Sequence, residues 1–147
     1  MNDVQILDDP IGFIRKRPSM FVRSHPVSGA ELAANIVGDA LLLTSGHVTA
    51  FRTGVWWVIA NVVDWIVAQS DLSVEDVFSR ILPLPQAGPN SMRGEVLLTA
   101  FARDVVTQRE NDRHVIKGNT SMHDEVWDII NSDPGWKRVI AFRLEMA

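Results

Sequence analysis

The chain of 147 residues is 46% hydrophobic and 22% charged, which suits one folded domain with a sizeable core spanning 1–147. It contains no cysteine, which excludes a disulfide scaffold, thiol chemistry and cysteine-based zinc sites. Fourteen basic against eighteen acidic residues give a formal charge of −4, no footprint for generic nucleic-acid binding.

The acidic start, Met1 to Asp9, lacks the basic and apolar regions of a signal peptide. The longest apolar stretch, Val55 to Ala60, is too short to span a bilayer, so a cytoplasmic, non-membrane protein is expected. Asp9-Pro10 predicts a helix start, with Asp as cap and Pro at the first helical position. Ile11, Phe13 and Ile14 follow, and Pro18 ends the segment. A second helix is predicted from Ser28, on Leu32, Ile36, Ala40 and Leu43 at helical spacing, with Gly46 as its C-cap.

The period then changes. Val48 to Thr53 and Val55 to Ala60 are β-branched and aromatic-rich around Thr53-Gly54 and predict a hairpin, central in its sheet. Its second half is apolar on both faces, as in a covered sheet. Ser73-Val74-Glu75-Asp76 resembles a capping box, opening a helix to Leu82. Pro83 to Ser91, with three prolines and a glycine, predicts a loop. A helix over Glu95 to Ala102, a hairpin of Asp104–Arg109 with Arg113–Lys117, a helix over Met122 to Asn131 and a strand from Val139 to Leu144 complete the chain. Hairpins interleaved with helices indicate an α+β fold: a two-layer sandwich, with helices on one face of a mixed, largely antiparallel sheet.

One string is specific. Arg15-Lys16-Arg17-Pro18-Ser19-Met20-Phe21 resembles the Arg-Lys-Arg-Pro-Gly-Met-Tyr segment near the start of the ATPase domain of DNA gyrase B and its topoisomerase relatives. The elements after it follow that domain's order over nearly the whole chain. The resemblance implies the Bergerat-like sandwich of the gyrase B, MutL and histidine-kinase (GHKL) superfamily.

The family's functional residues do not carry over. Its water-activating Glu falls on Asn35, and an amide has no proton affinity to act as a base. Its magnesium-binding Asn falls on Asp39, whose oxygens suit a hard cation. Its adenine-binding Asp falls on Asn61, which keeps an acceptor oxygen. Two glycines that leave room for the nucleotide fall on Val63 and Trp65. The Gly-rich end of the ATP lid is reduced to Met92-Arg93-Gly94, and no Tyr exists to match the arm that reaches nucleotide across a dimer.

The resemblance therefore implies a degenerate, pseudo-ATPase domain with no resident cofactor, acting on a protein partner, which includes a second copy in a homodimer. The alternative is a true ATP/ADP-binding domain with a rewritten pocket, using Asn61 on adenine and Asp39 on magnesium. In the first reading Trp65, with Val63 beside it, plugs the pocket. Asp39 reads more readily as an ordinary polar residue on a half-buried helix than as a metal ligand, and Arg15-Lys16-Arg17 as a solvated helix end. Trp57 reads as sheet core, while Trp56 and Trp65 admit an aromatic binding surface. His25, His47, His114 and His123 have no metal-site spacing.

Overall fold

The computed structural model describes residues 9–66 and 72–146; the acidic start, up to residue 8, lies outside them. Asp9 caps α1 (Pro10–Lys16) by accepting the Gly12 N–H. Pro18 ends that helix and starts one further turn, α2 (Pro18–Phe21). The side chain of Ser28 accepts the Glu31 N–H and opens α3 (Gly29–Leu43). Then come the hairpin β1 (Val48–Thr53) and β2 (Trp56–Asn61), α4 (Val74–Ser79), α5 (Glu95–Phe101), β3 (Asp104–Arg109), β4 (Asp112–Lys117), α6 (Val126–Ile130) and β5 (Arg138–Arg143). Gly54 supplies the positive φ of 59° that the first hairpin turn requires.

The strands form one five-stranded sheet in the order β1-β2-β5-β3-β4. Every pairing is antiparallel, so the sheet is not mixed. The first hairpin is not central either: β1 is an edge and β5 occupies the middle. The burial of the two strands explains this. Every residue of β2 is buried or nearly so, whereas β1 is exposed at Thr49, Ala50, Arg52 and Thr53.

Helices cover both faces, not one. Ile59, Val105, Ile140 and Phe142 face the main core, with Leu32, Ile36 and Ala40 of α3, Val77 and Phe78 of α4, and Val96 and Leu98 of α5. The alternate residues, Trp56, Val58, Ala60, Val106, Val139 and Ala141, pack under Val126, Trp127 and Ile130 of α6. Strands apolar on both faces would otherwise leave one face in water, at about 25 cal/mol per Å² of apolar surface.

The tryptophans are built into this frame. Trp57 stacks on Phe142 with ring centroids 6.4 Å apart. Trp56 is buried on the opposite face, with the Arg143 guanidinium 4.5 Å from its ring centre. Neither provides an open aromatic surface.

Gly46 does not cap α3. The helix ends at Thr44 in extended backbone, whose N–H and hydroxyl both donate to the Ala40 carbonyl. Gly46 is needed for close approach instead: a Cβ there would lie 2.2 Å from Asn61 Oδ1. No helix among the described residues is long and apolar enough to cross a membrane.

Candidate functional site

Asn35 and Asp39 are four apart on α3 and therefore share a face. The apolar stripe of Leu32, Ile36 and Ala40 anchors that helix on the sheet and turns both polar residues toward the start of α5. Asp39 is 7% exposed, and its Oδ2 accepts the Gly94 N–H at 2.6 Å. Gly94 is tightly placed: a Cβ there would lie 3.3 Å from Asp39 Oδ2 and 3.4 Å from Asn35 Cβ.

The residues flanking Gly94 form a buried ion pair. Arg93 Nε donates to Glu95 Oε1 at 3.0 Å, and a second guanidinium nitrogen contacts the same oxygen. The remaining donors reach the Ile66 carbonyl at 3.1 Å and the Trp65 carbonyl at 3.4 Å. Two buried polar atoms at this junction have no hydrogen-bond partner among the described residues: Glu95 Oε2 and Trp65 Nε1.

Burial first, and then the negative charge of Glu95, push the Asp39 carboxyl up to about 7; the Gly94 N–H and the Arg93 charge partly oppose this. The folded state therefore holds the Asp39 proton more tightly than the unfolded chain, whose value is near 3.8. The contribution of Asp39 to stability is greatest below about pH 4, falls as pH rises through the window to about 7, and is flat above it. Asp39→Asn, which mimics the protonated acid, is expected to remove that fall. In urea titrations it should gain on the parent by about 2–4 kcal/mol between the ends of the window. A constant difference across the window would contradict the assignment.

Asn35, Asp39 and Gly94 do converge. With Met20, Phe21 and Leu84 they line a recess of about 380 Å³ under the proline loop. Asn61, Val63 and Trp65 do not line it. Asn61 is fully buried and spent internally: its Nδ2 donates to Thr44 Oγ1 and its Oδ1 accepts the Val63 N–H, both at 3.1 Å. That turn puts Val62 and Val63 outward, 46% and 39% exposed. Val63 is thus no neighbour of a plug, which corrects the sequence expectation. Trp65 is fully buried in the main core with Ile36 and Ala40, on the same side of the sheet as Asn35 and Asp39.

A second buried ion pair went unread in the sequence. Arg138 grips Asp64 with two hydrogen bonds, at 2.9 and 3.0 Å, and also donates to Thr107 Oγ1 at 3.2 Å. The signal available was a cation opening a central strand whose interior, Val139 to Phe142, is apolar, and nothing in the spacing named its partner. Among the described residues no group of three or more His, Asp or Glu side chains is placed to hold a metal ion. His25 and His47 are exposed. Comparison with family models, curated proteins and solved structures finds no match to this chain.

Proposed function

We propose that this chain is a small Bergerat-like domain of the gyrase B type that does not hydrolyse ATP and acts as a protein-interaction or regulatory module. The observation that carries the reading is Asn35 on the recess wall, where hydrolysis by this fold requires a base. Asn61 supports it, because both ends of its amide are engaged within the protein and neither is free to read adenine. Apolar surface at the same end of the molecule suits a protein partner. Leu41 and Leu42 of α3 and Val62 and Val63 after β2 are exposed, and the Asn61–Thr44 hydrogen bond ties these two segments together. A second copy of the chain is one such partner.

The second reading, ATP or ADP binding with Asp39 on magnesium, is favoured by the recess at Asn35, Asp39 and Gly94. Phosphate release from ATP with magnesium tests the first reading. The expected rate equals that of buffer alone. Release that survives rigorous purification and disappears in Asn35→Ala or Asp39→Ala would refute it.

A further inference from the structure

Among the described residues, the recess under the proline loop carries a single ionisable side chain, Asp39, and no cation in its walls answers it. Oδ2 of that carboxyl is taken by the Gly94 N–H, while nothing among the described residues donates to Oδ1. One turn earlier, the Asn35 side chain also makes no hydrogen bond to any of the described residues. Arg93, the nearby cation, is spent on Glu95 and on the carbonyls of Trp65 and Ile66. The remaining walls are largely apolar, with Phe21, Leu84 and Leu97 among them. The 380 Å³ volume falls within the range of about 300–1,000 Å³ usual for ligand sites.

We infer that this recess binds an alkylammonium group, with its N–H donors on Asp39 Oδ1 and the Asn35 side-chain oxygen and its apolar stem along Phe21, Leu84 and Leu97. An ammonium head has three donors and no acceptor, matching two unengaged acceptors on one wall. Hydrogen bonds between opposite charges are the stronger kind, and a short alkyl stem buries well beside apolar side chains. An anionic ligand would meet Asp39, the only charge among the described residues of the recess, with the same sign. The chemistry is that of a free alkylamine or of a lysine side chain, and it stands independently of the functional reading above.

The test is an amide NMR titration with pentylamine, with N-acetyl-lysine methylamide and with pentanol as the uncharged control. The amine is expected to shift the Gly94 and Leu97 amides and to bind at least tenfold more tightly than pentanol. Binding of the lysine derivative as well identifies a partner's side chain as the source; binding of the amine alone identifies a free small molecule.

Asp39→Asn keeps an oxygen for the Gly94 N–H and should weaken binding at least tenfold. Ala87→Trp, at the exposed rim, should block entry without touching Asp39. The charged groups facing Asp39 are Glu95 of α5 and Arg93 before it. Affinity should rise roughly tenfold between about pH 6 and pH 8 as the carboxyl ionises. Equal binding of pentanol, unchanged affinity in Asp39→Asn, or no shift with either amine would overturn the inference.

Discussion

Arg93→Met is expected to destabilise the protein by about 3–5 kcal/mol in urea unfolding, because it strands a buried carboxylate. Glu95 is fully buried, and Arg93 is its ion-pair partner. The replacement also leaves the Ile66 and Trp65 carbonyls without the donors that hold them to α5. Removing both charges should behave differently. In Arg93→Met with Glu95→Met the stranded charge is gone, and the double variant should recover at least half of the loss. A double variant as unstable as the sum of the two single ones would show that the residues act separately.

Trp65→Ala is expected to cost about 3–5 kcal/mol, the usual range for emptying a large aromatic site in a packed core. Trp65 is fully buried, so its removal leaves a cavity. Trp65→Phe should cost much less, about 1–2 kcal/mol, since the indole Nε1 has no hydrogen bond to the described residues and the difference in ring size remains. Thermal or urea unfolding of the pair separates volume from polarity. A loss in Trp65→Phe equal to that in Trp65→Ala would contradict the volume account.

Much of the fold was legible because local chemistry marks local structure. Asp9-Pro10, Ser28 and Ser73 cap the helices they were expected to open. Thr53-Gly54 turns the first hairpin. Helix ends were harder to read: α4 stops at Ser79 although Ile81 and Leu82 continue its apolar pattern, and α6 begins only at Val126, after a turn in which Asp124 and Ser121 bond each other.

Strand order and layers depend on partners distant in sequence. The two-faced pattern of Trp56 to Ala60 already required a cover on each side, and Val126, Trp127 and Ile130 were the stripe able to supply the second. Nothing local in β5 announced that it would insert between β2 and β3. The site was legible in part for the same reason. Asn35 and Asp39 share a helix face, and Gly94 meets them across the fold. Asn61 and Val63 left the site through a two-residue turn, and the pairing of Arg138 with Asp64 spans 74 residues.

Thermal unfolding with and without ATP or ADP and magnesium tests most directly whether the pocket has left nucleotide chemistry. At a ligand concentration about a hundred times the Kd, a working site would stabilise the protein by about 2.7 kcal/mol. That is a rise in Tm of roughly 5–10 °C for a domain of this size. The account predicts no shift with either nucleotide. A magnesium-dependent rise that Asp39→Asn abolishes would contradict it.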